Sequence, residues 1–272
     1  MSAAVDGLRA AGVEDPRLDA EVLLAEAIGC DRAALVADPQ AEVPPPAARL
    51  FAEMVRRRLR REPVAYIVGR KGFRRLDLAV DRRVLIPRPE TELLVEVALE
   101  RAPTTLLDIG TGSGAIALAV ADEVPGCAVT ATDTSAAALE VARANAERLG
   151  LSDRVRFVPG SVPEGESFDL VLANLPYVAA PDWASLQPEV TEWEPREALL
   201  AGPDGLDAIR ALLDGRGRDF NRIAAQTSTA VALEVGEGQA PAVAELLREA
   251  GFSRTQTRPD LAGISRVVLG EP

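Results

Sequence analysis

The chain has 272 residues and a formal net charge of -12, an acidic balance that works against nonspecific binding of a polyanion, so no direct nucleic-acid partner is expected. It contains no histidine, which removes Ser-His and Cys-His nucleophile pairs and most transition-metal sites. Its two cysteines, Cys30 and Cys127, show no CxxC spacing, so neither a disulfide framework nor a metal site is expected.

The length suits one α/β domain with a smaller appendage, and with only 4% aromatic residues the core must be built of Ala, Val and Leu. No stretch approaches the roughly 18 apolar residues of a membrane span. The N-terminal MSAAVDGLRAAG lacks the basic start and apolar run of a signal peptide. A cytoplasmic, monomeric protein with no membrane partner is the expectation.

From Val5 to Arg61 the apolar spacing is helical, broken at Pro44, Pro45 and Pro46 and resumed from Ala47 to Arg61. The run Arg56, Arg57, Arg58, Arg60, Arg61 reads more simply as the solvated face of a helix than as an RNA patch. Between Pro63 and Ile86 the period shifts towards two (Val64, Tyr66, Val68, then Leu76, Leu78, Val80), which predicts a β-hairpin linker. Pro89 and the acidic Glu90 and Glu92 then open a helix through Leu93, Leu94, Val97 and Leu99.

Strands and helices alternate from there on. Strands are predicted at Thr105 to Ile109, Ala128 to Asp133, Val155 to Val158, Phe168 to Ala173, Ala230 to Val235, Ser253 to Thr257 and Arg266 to Leu269. Helices are predicted at Ala115 to Glu123, Ser135 to Leu149, Leu206 to Leu213 and Gln239 to Ala250. The expected fold class is α/β: a doubly wound, mostly parallel sheet of the class I methyltransferase type, its last two strands joined without a helix as an antiparallel edge. The domain reading is a helical domain over 1–62, a hairpin linker over 63–86 and the α/β domain over 87–272.

Two motifs carry the chemistry. Asp108 precedes Gly110-Thr111-Gly112-Ser113-Gly114 at a strand-to-helix turn, where glycines let a ligand approach bare backbone at the carboxyl edge of a sheet. The spacing is G-x-G-x-G, not the dinucleotide G-x-G-x-x-G, and a carboxylate beside the loop suits an ammonium group but repels a pyrophosphate. That combination points to S-adenosylmethionine as cofactor, with Asp133 at the end of the next strand placed to accept the ribose hydroxyls.

The second motif, Asn174-Leu175-Pro176-Tyr177, leaves the fourth strand of the sheet. An asparagine oxygen together with the carbonyl of Leu175 can accept both N–H bonds of an NH₂ group and hold its lone pair towards a methyl donor. Pro176 stiffens the loop and Tyr177 offers a face for a planar amide. On these residues alone the acceptor is a side-chain amide or an exocyclic adenine N6 amine; a noncatalytic binding protein on the same fold is the reading from another class.

These motifs, with LIPRPETE (Leu85 to Glu92), RANAERL (Arg143 to Leu149), LLAGPDGLDAI (Leu199 to Ile209) and DLAGISRVVLG (Asp260 to Gly270), resemble the release-factor glutamine N5-methyltransferases, the HemK/PrmC family. The resemblance implies a helical N-terminal domain that recognises a peptide chain release factor. It also implies a catalytic domain that methylates the glutamine of that factor's Gly-Gly-Gln loop, with Gly110 to Gly114 and Asp133 binding S-adenosylmethionine and Asn174 to Tyr177 holding the glutamine amide. The chain departs from the family pattern at three places. Leu175 replaces a proline, Ser161 and Val162 stand where an acidic residue and often an aromatic meet the adenine, and a proline-glycine-glycine turn is missing from 221–229. A paralogue acting on another amide is the corresponding alternative.

Overall fold

The computed structural model describes residues 1–37, 42–213 and 229–272. The chain divides into two compact units, one formed by Met1–Arg70 with Gln187–Trp193, the other by Lys71–Leu186 with Glu194–Pro272.

The first unit is helical: α1 (Ser2–Ala10), α2 (Pro16–Ile28), α3 (Arg32–Ala37), α4 (Pro45–Arg58) and α5 (Val64–Val68), with α9 (Pro188–Thr191) contributed from later in the chain. Its apolar centre joins Leu23, Met54, Val55 and Ile67, beside a smaller cluster of Leu8, Val13 and Ala20. The Val64 to Val68 segment, expected to be a strand, is a helix, and the reason is tertiary. Tyr66 and Ile67 are buried, Gly69 closes the helix in the left-handed region (φ 77°), and Arg57 donates to the carbonyls of Tyr66 (3.2 Å) and Ile67 (3.3 Å). Carbonyls that a five-residue helix leaves without partners thus find a guanidinium, and this outweighs the strand preference of valine.

The arginine run is a solvated face only at Arg56 and Arg60, which are exposed. Arg58 is buried and pairs with Asp19 (2.7 Å) and Glu189 (2.7 Å), Arg61 pairs with Glu189 (2.5 Å), and Arg57 pairs with Glu62 (2.6 Å). The carboxylates come from separate segments, which a helical-wheel reading of Ala47 to Arg61 has no access to.

The second unit begins with a hairpin of β1 (Arg70–Phe73) and β2 (Leu76–Ala79), shorter than the expected linker. There follow α6 (Glu92–Arg101), β3 (Thr105–Ile109), α7 (Ala115–Glu123), β4 (Ala128–Asp133), α8 (Ala136–Arg148), β5 (Val155–Pro159) and β6 (Leu170–Ala173). After α9 come α10 (Asp207–Leu213), β7 (Ala230–Glu234), α11 (Ala240–Glu249), β8 (Arg254–Pro259) and β9 (Ser265–Glu271). Seven strands form one sheet in the order β5-β4-β3-β6-β7-β9-β8, parallel except that β9 runs antiparallel to both neighbours. The last two strands are antiparallel as expected, but β9 inserts beside β7 and leaves β8 at the edge.

The strands read as continuous apolar runs because both sheet faces are covered. Leu106, Leu170, Leu172 and Ala232 pack with α6 and α7 on one face; Leu107, Val171, Val231 and Leu233 pack with α10 and α11 on the other. Strand order reverses between β3 and β6, which opens a crevice at their carboxyl ends. Ile109 pairs with Ala173 there, so the glycine loop and the NLPY segment leave adjacent strands side by side. Among the described residues, no helix is long and apolar enough to cross a membrane. The expected departure at 221–229 falls, through residue 228, outside the described residues.

Candidate functional site

The glycine loop is held from three directions. Asp108 is fully buried; its Oδ2 accepts from the Thr111 hydroxyl (2.6 Å) and the Ala117 amide (3.2 Å). The amides of Gly110 and Thr111 both donate to the carbonyl of Thr132 (2.9 Å each). Asn145, buried on α8, donates to the carbonyl of Ser113 (2.9 Å) and exchanges two hydrogen bonds with Ala79, donating to its carbonyl (3.0 Å) and accepting from its amide (2.7 Å). The turn requires left-handed backbone at Gly110 (φ 72°) and Gly114 (φ 85°), and a Cβ at Gly114 would lie 2.9 Å from Leu118 Cδ1.

Burial pushes the Asp108 carboxyl up to about 7, with the Thr111 and Ala117 hydrogen bonds opposing and the Asp133 charge adding to the rise. Its Oδ1 is buried without a hydrogen-bond partner. Asp108 therefore orients the loop from beneath.

Asp133 ends β4 with Oδ2 accepting from the Gly112 amide (2.9 Å) and Oδ1 from the Ser135 amide (2.8 Å). Ser135, not Asp133, caps α8, accepting from the Ala138 amide (3.2 Å). Each Asp133 oxygen keeps a second lone pair. A cavity opens between Gly110, Gly112, Asp133, Ser161, Asn174 and Leu175, walled on the far side by Arg83, Leu85, Pro195 and Glu197.

Within the NLPY segment, Asn174 Nδ2 donates to the Thr91 hydroxyl (3.1 Å). That leaves Asn174 Oδ1 as the acceptor end of the side chain. Gln239 donates to the carbonyl of Tyr177 (2.9 Å), and Gly205 lies so close that a Cβ there would sit 2.2 Å from the same oxygen. Burial, with the Glu234 charge adding to it, pushes the Tyr177 hydroxyl up to about 12, so it stays protonated.

Of the residues singled out from the sequence, Gly110, Gly112, Asp133, Ser161, Asn174, Leu175 and Pro176 meet at the cavity. Asp108, Thr111, Ser113 and Gly114 stand behind its wall, Tyr177 is outside the lining, and Val162 is buried in the apolar cluster with Phe168 and Val171. Thr91, Asn145, Gln239 and Gly205 act on the site without having been named for it. Thr91, Asn145 and Gly205 do lie inside the motifs LIPRPETE, RANAERL and LLAGPDGLDAI; nothing in the sequence marks Gln239. A more open depression at the amino ends of β4 and β5, around Gly126 to Thr130, is at the edge of the sheet where such folds do not bind ligands.

The chain matches two family models, "PrmC N-terminal domain" over residues 1–69 and "Methyltransferase small domain" over residues 89–186. A release factor glutamine methyltransferase from Caulobacter vibrioides is 41% identical over 276 residues, covering 99% of this chain and 94% of that protein. The catalytic domain of hMettl16 in complex with MAT2A 3'UTR hairpin 6 superposes with a TM-score of 0.57 at 17% identity, over 72% of this chain and 75% of that one. The N-terminal domain of human METTL16 in complex with SAH gives 0.50 at 16% identity, over 72% and 75% of the two chains. At such identities these two structures show a common fold.

Proposed function

The chain belongs to the release factor glutamine methyltransferase family, and from that premise we propose that it transfers a methyl group from S-adenosylmethionine to the side-chain amide nitrogen, N5, of the glutamine in a release factor's Gly-Gly-Gln loop. The observation that supports the reading is the meeting, at one cavity, of the glycine loop with an asparagine whose Nδ2 is engaged by Thr91, which leaves Oδ1 as its acceptor end.

The residues fit the cofactor. Gly112 has open space where a Cβ would stand, and Asp133 keeps lone pairs for two ribose hydroxyls. Gly110, Gly112, Asp133 and Ser161 would hold it, with Asp108, Thr111, Ser113 and Gly114 fixing the shape of the loop. When bound, the cofactor would supply a methyl group on a sulfonium, which the amide nitrogen would take as the carbon–sulfur bond breaks, its surplus proton leaving to water.

Asn174 Oδ1 and the carbonyl of Leu175 accept the two N–H bonds of the glutamine amide and fix its approach. Pro176 limits the freedom of that carbonyl. The second acceptor is main chain, so leucine in place of the family's proline leaves it intact. No general base is needed on the enzyme. The helical N-terminal domain, in this reading, recognises the release factor.

The test is incubation of the protein with S-adenosylmethionine and a purified release factor, followed by the mass of the tryptic peptide that contains Gly-Gly-Gln. One methyl increment on the glutamine is expected, and an unmodified peptide refutes the reading. Asn174→Ala should lower turnover on the order of 100-fold, the scale of one misplaced reacting group.

A further inference from the structure

The NLPY segment is held at both ends. At the first residue Asn174 Nδ2 donates to the Thr91 hydroxyl (3.1 Å), and at the last the Tyr177 carbonyl accepts from Gln239 Nε2 (2.9 Å). The Gln239 amide has further partners. Its Nε2 also donates to the Asp204 carbonyl (3.3 Å), and its Oε1 accepts from the Gly236 amide (2.8 Å), while the Gln239 backbone amide donates to the Gly236 carbonyl (3.1 Å). One side chain thus joins the end of the acceptor segment, the turn within LLAGPDGLDAI and the exit of β7.

Two bonds donated from one nitrogen and one accepted by one oxygen are the set that a primary amide supplies. The space around that amide is walled by glycines. A Cβ at Gly205, which is left-handed (φ 77°), would lie 2.6 Å from Nε2, and one at Gly236 would lie 2.9 Å from Oε1 and 3.2 Å from Cδ2 of the Tyr177 ring. Gln239 stands at the start of α11, yet its side chain makes no bond to that helix. Its hydrogen bonds are spent on the loops around the acceptor segment instead.

We propose, on the reading of Asn174 and Leu175 given under Proposed function, that Gln239 is a positioning residue for methyl transfer: by holding the Tyr177 carbonyl it sets the direction in which the Leu175 carbonyl meets the acceptor amide. The ring of Pro176 fixes its own φ and disfavours the helical region for Leu175, so few backbone torsions separate the two carbonyls. With Asn174 held at one end and Tyr177 at the other, those torsions have little freedom. Releasing Tyr177 lets the Leu175 carbonyl swing. The glycine loop keeps its shape meanwhile, because Asp108, Thr132 and Asn145 hold it and Gln239 does not.

The experiment compares the full chain with Gln239→Met, Gln239→Glu and Gln239→Asp. For each, kcat and KM are measured for methylation of a purified release factor, cofactor affinity by calorimetry, the thermal midpoint, and amide hydrogen exchange over residues 174–178 by mass spectrometry. Methionine keeps the reach of the side chain without donor or acceptor. Glutamate keeps the acceptor for Gly236 and loses both donors, and aspartate is too short to reach Tyr177. Each variant should lower kcat on the order of tenfold, with cofactor affinity within about twofold of the parent. That is less than the roughly 100-fold cost of a full ångström of misplacement, because Val178 stays bonded to the Leu199 carbonyl (2.8 Å).

A carboxylate favours the amino end of a helix, so Gln239→Asp should be at least as heat-stable as Gln239→Met and yet as slow. If Gln239 served only to start α11, turnover in Gln239→Asp would recover along with stability. Exchange over 174–178 should rise in Gln239→Glu and Gln239→Asp. Parental kcat in Gln239→Glu, recovered kcat in Gln239→Asp, or unchanged exchange in both overturns the proposal. The two carboxylate variants are read independently, so the test stands even if Gln239→Met does not fold. Failure of the full chain to methylate the release factor would sink the functional reading; the exchange measurement needs no substrate and still decides whether Gln239 holds the segment.

Discussion

Replacing Asn145 by leucine keeps the branched outline of the side chain and removes its polar atoms. Three backbone groups then lose this partner, the Ala79 amide, the Ala79 carbonyl and the Ser113 carbonyl, at 2.7, 3.0 and 2.9 Å in the parent, and Arg148, which also donates to the Asp77 carbonyl, loses its 3.2 Å bond to Asn145 Oδ1. The bond to Ser113 is buried, so orphaning that carbonyl costs about 1 to 3 kcal/mol; the two bonds to the half-buried Ala79 are nearer 0.5 to 1.5 kcal/mol each. The hydrocarbon gained recovers part of this, and a net destabilisation of about 3 kcal/mol is expected. In urea the unfolding midpoint should fall without a change of slope, and the thermal midpoint should drop by roughly 6 to 12 °C. The glycine loop should also loosen, so cofactor affinity measured by calorimetry falls in the same variant. A loss under about 1 kcal/mol, or parental cofactor affinity in a destabilised protein, would refute the claim that Asn145 ties the hairpin to the loop.

Gly205→Ala places a methyl against the Tyr177 carbonyl at a left-handed residue, so release-factor methylation should fall while calorimetry shows cofactor binding near the parental value; unchanged turnover would contradict this. Glu189→Ala leaves the buried Arg58 with one carboxylate instead of two and Arg61 without its carboxylate, and should destabilise the helical unit by about 3 kcal/mol in chemical denaturation. For Asp108 the sign is that of a carboxyl whose folded pKa, about 7, exceeds its unfolded one. The stability it contributes is full below the unfolded value and is lost as pH rises through about 7, an effect on the order of a few kcal/mol. Asp108→Asn can keep the Thr111 and Ala117 bonds through its oxygen, so its thermal midpoint relative to the parent should climb between about pH 5 and pH 8; a constant difference would falsify the assignment.

The strand-helix alternation, the G-x-G-x-G turn and the position of Asp133 were legible from residue types and spacing. They depend on local rules: apolar strands covered on both faces, and glycines where the backbone turns left-handed under a ligand. The first unit resisted the same treatment. Val64 to Val68 carries a strand-like pattern, yet Arg57 and the burial of Tyr66 and Ile67 make it a helix. Arg57 and Arg58 look solvated until Asp19, Glu62 and Glu189 are brought to them.

At the cavity the division is similar. Asn174 and its carbonyl neighbour could be named from the chemistry of an NH₂ acceptor, because that argument needs only the tetrapeptide. Which group engages its amide could not, since Asn174 donates to Thr91, 83 positions away in the chain. The sequence by itself determined the kind of fold, the glycine turn proposed for the cofactor and an NH₂ acceptor left open between amide and amine, all of which follow from short-range pattern. Only the tertiary structure decided which group holds the Asn174 amide, because Asn174 and Thr91 meet only when the end of β6 and the turn before α6 are packed together.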